Sequence, residues 1–298
     1  MPDDACDDAP DDLPDGRSAQ PAGLVLVSTP IGNLGDMTAR GRQALEAADI
    51  ILCEDTRHTS HLLSAFGISA RMQPLHEHNE DARIPALLDL LRQGKRLVLV
   101  SDAGTPLVSD PGYRLVRAAI AAGLPVSAMP GANAAVTALV LSGLPPLPFL
   151  FLGFPPPRQA ARRAAFGQLR AIERAGLSAT LIWHEAPHRL AETLADMADA
   201  FGPRAAAVAR ELTKKFEEVR RGTLSELAAH YATHEARGEI SLVVGPPEQA
   251  DPEDLDGQLR AALATSSVKD AAALVAAATG LPRKTVYARA LELSAEAP

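Results

Sequence analysis

The loop SDAGTPLVSDPG at residues 101–112 is the stretch of the sequence best suited to hold a ligand, because it directly follows the apolar run LVLV. It contains two aspartates, two glycines and two prolines within twelve residues. Glycine lets a ligand approach the backbone closely, and proline fixes the turns. A carboxylate at the end of a strand suits ribose hydroxyls or a cationic ligand. The loop therefore predicts a binding site, with a purely structural turn as the alternative.

A second loop, TPIGNLGD at residues 29–36, also places glycines directly after an apolar run. Backbone N–H groups in such loops can bind a phosphate. The spacing matches neither the GxGxxG of a dinucleotide site nor the GK[ST] ending of a P-loop. A tight turn is therefore the simpler interpretation, and nucleotide phosphate binding is the less favoured one.

The segment WHEAPHR at residues 183–189 contains H-E-x-x-H, a pattern in which zinc proteases carry both histidines on one helix. Pro187 argues against that helix, because proline removes a hydrogen bond and clashes with the preceding turn. We therefore predict a strand end, a loop, and a helix that starts near Pro187. Glu185 and Arg189 remain candidates for a site at this loop.

Two further segments are rich in charge. RELTKKFEE at residues 210–218 is either a solvated helix face or a functional loop, and HEHNE at residues 76–80 is a weak candidate for a metal site. The G-x-S-x-G elbow of α/β-hydrolases does not occur in the sequence, so that enzyme class has no support.

These loops must be positioned by the elements that precede them. In the first half of the chain, short apolar runs alternate with helix-like patterns, and strands are predicted at 24–27, 50–53, 97–100 and near Val126. A helix is predicted at 85–93. The alternation predicts a parallel α/β sheet, in which ligands bind beyond the carboxyl ends of the strands. The loops after the four strands are therefore expected to cluster at one edge.

The second half of the chain predicts another α/β domain and a helical tail. Strands are predicted at 149–152, 179–183, 206–210 and 240–244, after a proline-rich hinge. We predict a disordered acidic tail at residues 1–22 and two α/β domains at residues 23–144 and 149–247. A helix-turn-helix-like appendix is predicted at residues 253–298. The appendix is interpreted either as a nucleic-acid reader or as a plain helical packing element.

Charge and composition limit the functional classes. The net charge of −8 is concentrated at the two ends, since residues 18–247 hold 22 acidic and 23 basic residues. An RNA partner is therefore compatible with the acidic total. Two cysteines and an acidic start favour a reducing cytoplasm over export. Prolines and glycines interrupt the uncharged stretch 118–157, so we expect no membrane span.

Several of these segments, in this order, resemble one family closely. The matching segments are VSTPIGNLGDMTARG at 27–41, ILCEDTRHTSHLL at 51–63, HEHNE at 76–80, SDAGTPLVSDPG at 101–112, PGANA at 130–134, WHEAPHR at 183–189, RELTKKFEEV at 210–219 and GEISLVVG at 238–245. They are similar to those of the small-subunit ribosomal RNA methyltransferase I family, in the tetrapyrrole methylase (class III methyltransferase) superfamily. The combination is specific, although PGANA alone also resembles segments of porphyrin methylases and diphthine synthase.

The resemblance implies two α/β domains with S-adenosylmethionine in the cleft between them, a homodimer, and no metal. It implies 2′-O-methylation of a cytidine in the decoding region of 16S rRNA, within the 30S subunit. The residues implied to touch the cofactor are Pro30, Asp102, Gly104, Thr105, Asn133, Ala134, Glu185 and Leu212. Ser101 stands where the superfamily commonly has glycine.

Methyl transfer to a ribose hydroxyl also requires a group that takes the proton and groups that hold the RNA. The candidate bases are Glu54, Asp55, Glu185 and Lys214. The candidate phosphate ligands on the dimer face are Arg57, Arg158, Arg162, Arg163 and Lys215, with a solvated surface as the alternative.

Three other functions compete with this interpretation. The nearest is a methylase of a porphyrin-like small molecule, against which the EDTR and WHEAPHR segments argue. A zinc hydrolase depends on HEAPH alone. A non-catalytic RNA-binding assembly factor would bind ribosomal subunits and transfer no methyl group.

Overall fold

The computed structural model describes residues 23–247 and 252–296, so the predicted acidic tail lies outside the described residues. The chain divides into two compact units. The first unit runs to Thr137 and includes Leu212–Lys215. The second unit comprises Ala138–Glu211 and the chain from Phe216 onward. The domain boundaries expected from the sequence remain predictions.

The first unit is built on one parallel sheet. Its elements are β1 (Leu24–Val27), α1 (Ala39–Glu46), β2 (Ile50–Cys53), α2 (Thr56–Ala65), β3 (Met72–Pro74), α3 (Glu80–Arg92), β4 (Leu97–Val100), α4 (Tyr113–Ala121), β5 (Val126–Met129) and the start of α5 (Ala134–Ser142). The strand order is β3-β2-β4-β1-β5, and every pairing is parallel. The predicted parallel sheet is therefore confirmed.

Successive apolar side chains along each strand point to opposite faces of this sheet, and helices cover both faces. Leu24, Leu97 and Leu99 pack in one cluster with residues of α3 and α4. Their neighbours Val25 and Val98 point the other way and pack with residues of α1 and α2. Burying one such side chain stabilises the fold by about 1.5–3 kcal/mol, so the two apolar layers hold the strand ends in place.

Two elements of the first unit differ from the prediction. The short strand β3 was missed. Helix α3 begins at Glu80 and contains Pro85, whereas the predicted helix begins at Pro85. The earlier start is stabilised by Glu80, whose buried carboxylate accepts a hydrogen bond from the backbone N–H of Leu115 at 2.9 Å. Glu80 and Asp81 also place negative charge in the first helical turn.

The second unit contains a mixed sheet. Its elements are β6 (Phe149–Phe151), α6 (Gln159–Arg174), β7 (Thr180–Glu185), a 3₁₀ turn (Pro187–Arg189), α7 (Leu190–Phe201), β8 (Ala205–Arg210), β9 (Glu218–Thr223), α8 (Leu224–Tyr231) and β10 (Ile240–Val244). The order is β6-β7-β10-β8-β9. Strands β6 and β7 are parallel, and the remaining pairings are antiparallel.

One face of the second sheet is covered by three helices. Trp183 and Val208 of the sheet pack with Phe166 of α6, Met197 of α7 and Leu227 of α8. Strand β9 was not predicted from the sequence, where residues 210–218 are interpreted as a charged helix face or a loop. Its residues EVRRGT are half-exposed, because β9 forms the edge of the sheet.

The C-terminal residues form three helices with their own apolar core. They are α9 (Pro252–Leu263), α10 (Val268–Thr279) and α11 (Arg283–Glu296). Gly280, with a φ of 72°, ends α10 in the left-handed conformation and begins the tight turn into α11. The predicted pair of helices around a glycine turn is confirmed.

Candidate functional site

The loops after β1 and β4 are joined by backbone hydrogen bonds. Thr29 N–H donates to the Gly104 carbonyl at 2.9 Å, and Gly104 N–H donates to the Thr29 carbonyl at 3.1 Å. The Thr29 hydroxyl donates to the Ser101 carbonyl at 3.3 Å. Gly104 has a φ of 82°, a left-handed conformation that glycine adopts without strain.

The loops after β5 and β2 meet the same cluster. Thr105 Oγ1 donates to the carbonyl of Ala132 at 3.1 Å and accepts from the Ser28 hydroxyl at 3.2 Å. Asp102 Oδ1 accepts from the backbone N–H of Asp55 at 3.2 Å. Four strand-end loops therefore converge at the carboxyl edge of the parallel sheet, as predicted.

Backbone strain marks two of the candidate loops. Within residues 23–247 and 252–296, the non-glycine residues with positive φ are Leu107, Ser109, Glu211 and Thr213, with φ values of 52–71°. Each such residue costs on the order of 1–3 kcal/mol, and such residues cluster at functional sites. The strained residues fall in SDAGTPLVSDPG and in RELTKKFEEV, the two segments singled out for their density of polar residues.

Three carboxylates lie close enough to influence one another at this edge. Burial, together with the charges of Glu54 and Asp102, raises the pKa of Asp110 to about 6. Burial and the charge of Asp102 also raise the pKa of Glu54. The resulting negative potential favours a positively charged ligand. Asp110 was not among the predicted catalytic residues, although its position in the loop after β4 could have indicated it.

Asp55 has a structural role. Its carboxylate caps α2 by accepting from the backbone N–H of Arg57 at 2.8 Å, and it also pairs with the Arg57 guanidinium at 2.8 Å. These bonds lower the pKa of Asp55 to about 2. Among the four candidate bases, Asp55 is therefore a weak one.

Lys214 belongs to the first unit and lies against the first loop. A Cβ atom built on Gly32 would lie 2.3 Å from Lys214 Cγ, so the lysine stem covers this glycine. Leu212 is buried in the same short segment. The sequence placed Leu212 in the second domain, whereas the structure places Leu212–Lys215 with the first unit, because this segment leaves the second sheet between β8 and β9.

Glu185 is incompatible with both roles predicted for it. Its side chain is buried, and its two oxygens accept hydrogen bonds from the Thr193 hydroxyl at 2.5 Å and from Ala186 N–H at 2.8 Å. Arg189 Nε lies 3.3 Å from Oε1. The carboxylate thus serves the interior of the second unit and is not available as a base or as a cofactor ligand.

The predicted local structure around the H-E-x-x-H pattern is confirmed. Strand β7 ends at Glu185, a 3₁₀ turn begins at Pro187, and α7 begins at Leu190. The two histidines therefore do not share a helical face. In the portion of the chain that the structure describes, no group of three or more His, Cys, Asp or Glu residues could hold a metal ion.

The predicted phosphate ligands on α6 differ in their exposure to solvent. Arg162 has no exposed surface, and its guanidinium contacts the buried carboxylate of Asp196 at 2.6 Å. It is therefore an interior residue, and its prediction as an RNA ligand is wrong. Arg163 is half-exposed and bonds the same carboxylate, and Arg158 is exposed at the start of the helix.

The remaining predicted residues keep accessible positions. Arg57 and Lys215 are exposed, Pro30 is partly exposed, and Ala134 begins α5. Asn133 caps that helix, since its Oδ1 accepts from the backbone N–H of Val136 at 3.1 Å. Considering residues 23–247 and 252–296, no helix is both long and apolar enough to cross a membrane.

Known proteins resemble the chain along most of its length. The family model for Tetrapyrrole (Corrin/Porphyrin) Methylases matches residues 23–228, and the model for the RsmI C-terminal HTH domain matches residues 249–294. The ribosomal RNA small subunit methyltransferase I of Mesorhizobium japonicum is 48% identical, over 93% of this chain and 94% of its own. The protein of the same name from Micromonospora olivasterospora is 47% identical, over 91% and 88%.

A solved structure supports the fold. Uroporphyrin-III C-methyl transferase from Thermus thermophilus, complexed with S-adenyl homocysteine, superposes with a TM-score of 0.52 at 19% identity, over 75% of this chain and 97% of its own. At this identity the likeness concerns the fold alone. From the family models and the relatives together, the chain belongs to the ribosomal RNA small subunit methyltransferase I family, within the tetrapyrrole methylases.

Proposed function

We propose that this protein transfers a methyl group from S-adenosylmethionine to the 2′ oxygen of a cytidine ribose in the decoding region of 16S rRNA. The observation that carries the proposal is the convergence of four strand-end loops, with three coupled carboxylates, in a chain whose relatives are named as small-subunit rRNA methyltransferases. Parallel sheets bind their ligands at this edge.

The chemistry of the residues at this edge fits S-adenosylmethionine. Asp102 supplies a carboxylate suited to ribose hydroxyls or positive charge, and the backbone of Pro30, Gly104 and Ala134 can bind polar groups of the cofactor. Thr105 fixes the loop geometry through its two hydrogen bonds. When bound, S-adenosylmethionine supplies a methyl group on a positively charged sulfur, which the negative potential of this edge favours.

Among the described residues, Asp110 is the carboxyl group best matched to accept the proton of the ribose hydroxyl. A base works most effectively when its pKa lies near the working pH, and the pKa of Asp110 is about 6. Glu54, whose pKa is also raised, is the second candidate. Lys214, a third candidate, lies against Gly32 in the loop after β1.

The substrate is proposed to be bound as part of the 30S subunit by a homodimer in the cytoplasm. Exposed Arg57, Arg158, Arg163 and Lys215 are proposed as phosphate ligands. The residues Leu147 and Phe149, at the edge strand β6, and Val140 of α5 are apolar and exposed, as residues that a second copy covers would be.

The test incubates the purified protein with methyl-labelled S-adenosylmethionine and 30S subunits that lack the modification, followed by digestion of the rRNA to nucleosides. We expect label in 2′-O-methylcytidine. Free 16S rRNA and porphyrin-like acceptors serve as parallel substrates. Label in a porphyrin-like acceptor, with none in the rRNA, would establish the competing small-molecule methylase instead.

A further inference from the structure

A polar cavity in the second unit is lined by residues that the proposed function does not use. It has a volume of about 300 Å³ and is lined by the end of β8, the start of β9 and the C-terminal end of α8. We call it the arginine pocket, because Arg210, Arg220 and Arg237 line it. In sequence, its walls flank the strained segment that carries Lys214.

The charges around the arginine pocket favour an anion. Its two acidic lining residues are already partnered: Glu218 pairs with Arg210 at 2.6 Å and with Arg220 at 3.0 Å, and Glu235 lies 3.9 Å from Arg237. Three guanidinium groups against two carboxylates leave a net positive wall. A cation would be repelled from such a wall.

Two polar atoms in the arginine pocket lack a well-formed hydrogen bond. Among the described residues, the Tyr231 hydroxyl and Arg220 Nε are buried without such a bond, although Arg220 lies close enough to the hydroxyl to lower the pKa of Tyr231, which burial raises. Tyr231 is only 8% exposed, and it lines the pocket beside Arg220. Burying a donor without a good acceptor is unfavourable, so an acceptor that reaches both atoms would remove that penalty.

The histidines of the pocket add a flat, polar surface. His230 and His234 stack with ring centroids 4.2 Å apart and an angle of 8° between the rings. Burial lowers the pKa of His230, and the nearby Arg220 and His234 lower it further, which reflects the positive surroundings. Imidazole rings of this kind stack on unpaired bases and donate hydrogen bonds to phosphates.

We infer that the arginine pocket binds a backbone phosphate of the RNA substrate, through Arg220 and the Tyr231 hydroxyl. Guanidinium groups recognise phosphate oxygens with strong, directional hydrogen bonds, and a phosphodiester fits within the cavity. The inference rests on the proposed function, since it takes the substrate to be RNA. It adds a contact site to the exposed basic residues already proposed.

The test measures binding of a fluorescein-labelled fragment of 16S rRNA that contains the decoding region, at several salt concentrations. We expect Arg220→Gln to weaken binding about tenfold near 0.15 M salt and to reduce the log–log salt slope by about 1. Tyr231→Phe removes one neutral donor, so it should weaken binding about threefold and leave the slope unchanged. Arg117→Gln changes an exposed arginine of α4 and is the matched control.

Thermal unfolding of each variant identifies any loss of folding, and Tyr231→Phe, which retains the ring, carries the test if Arg220→Gln does not fold. Unchanged RNA affinity and salt slope in folded variants would overturn the inference. A separate titration with inorganic phosphate, followed through the His230 and His234 resonances, identifies the source of the anion. Binding of phosphate without any effect of the variants on RNA affinity would make the pocket a site for free anions and would also overturn it.

The inference and the proposed function can fail separately. If the wild-type protein labels no rRNA but its RNA affinity depends on Arg220 and Tyr231, the proposed methyl transfer is wrong and the phosphate site in the arginine pocket is supported. If the wild-type protein methylates 30S subunits and both variants retain its KM for 30S subunits and its RNA affinity, the phosphate site in the arginine pocket is wrong and the proposed function is supported.

Discussion

The carboxyl edge of the first sheet and the end of β7 in the second sheet present a similar sequence signal, an acidic residue at or just after the end of an apolar strand. In the first unit, Asp102 and Asp110 lie partly exposed in loops that meet loops from neighbouring strands. In the second unit, Glu185 is buried and bonded to Thr193 and Ala186. Acidic residues in similar sequence positions therefore belong to a candidate site in the first unit and to a buried hydrogen-bond network in the second unit.

Strand direction explains the difference. In the parallel sheet every strand ends at the same edge, so the polar loops gather there. In the second sheet, β7 is antiparallel to its neighbour β10, and Glu185 pairs with Ile240 at the start of that strand. The end of β7 is thus not joined by the end of β10, and of its two neighbours only β6 runs in the same direction. A polar residue at a strand end indicates a site more strongly when both adjacent strands run the same way.

The largest expected effect contrasts the two acids directly. Glu185→Ala leaves Thr193 and Ala186 without their acceptor and Arg189 without its ion-pair partner, and we expect the free energy of unfolding to fall by about 3–5 kcal/mol. Glu54→Ala at an exposed site should change it by less than about 0.5 kcal/mol. Urea denaturation of both variants makes the comparison. Equal losses would contradict the interior role of Glu185.

A second test concerns chemistry at the parallel edge. Asp110→Asn retains the shape of the side chain and removes its basicity, so we expect kcat for methyl transfer to fall by about 100-fold. Asp89→Asn, at an exposed position on α3, is the matched control. Single-turnover rates on 30S subunits provide the measurement. A wild-type rate in Asp110→Asn would shift the role of base to Glu54 or Lys214.

The pH dependence of the folding stability provides a separate test of the raised pKa of Asp110. Because the folded-state pKa of Asp110 is about 6, above the ordinary value of 3.8, the folded chain binds this proton more tightly than the unfolded chain. Its contribution to stability is therefore full below pH about 4 and is lost as the pH rises to about 6. We expect a loss of about 1–2 kcal/mol, given that the group is only partly buried.

Denaturation curves at pH values from 4 to 7 test this expectation. The wild-type protein and Asp110→Asn are compared, because the asparagine does not titrate. The difference in stability between them should change across this range by the stated amount. A constant difference would show that Asp110 has an ordinary pKa.

The smallest expected effect separates two neighbouring arginines of α6. Arg163 is half-exposed, so Arg163→Ala should lower the free energy of unfolding by about 0.5–1 kcal/mol and weaken RNA binding about threefold. Arg162→Ala removes a buried partner of Asp196 and should destabilise the chain far more. Denaturation and RNA titration of both variants check this order, and an unchanged RNA affinity in Arg163→Ala would remove that residue from the interface.

The first sheet was predictable because its strands are buried on both faces and therefore form continuous apolar runs. The two strands that were missed, β3 and β9, both form sheet edges, where short and polar sequences are the rule. The sequence of β9, EVRRGT, has no apolar run that could have revealed it.

The candidate site was predictable only where its residues follow parallel strands. The burial of Glu185 and Arg162 depends on Thr193 and Asp196, and nothing in the sequence marks these residues as partners. The raised pKa of Asp110 depends on its burial and on the charge of Glu54, which belongs to another loop. Such effects arise from packing and require the structure.

The central claim is that the carboxyl edge of the parallel sheet holds S-adenosylmethionine, and calorimetric titration of the cofactor tests it most directly. The proteins to compare are the wild type, Asp102→Ala and Glu185→Gln, each shown to be folded. We expect Asp102→Ala to weaken binding more than about tenfold, as for loss of a charge-assisted hydrogen bond, and Glu185→Gln to bind as the wild type does. Wild-type affinity in Asp102→Ala, together with loss of binding in Glu185→Gln, would contradict the account.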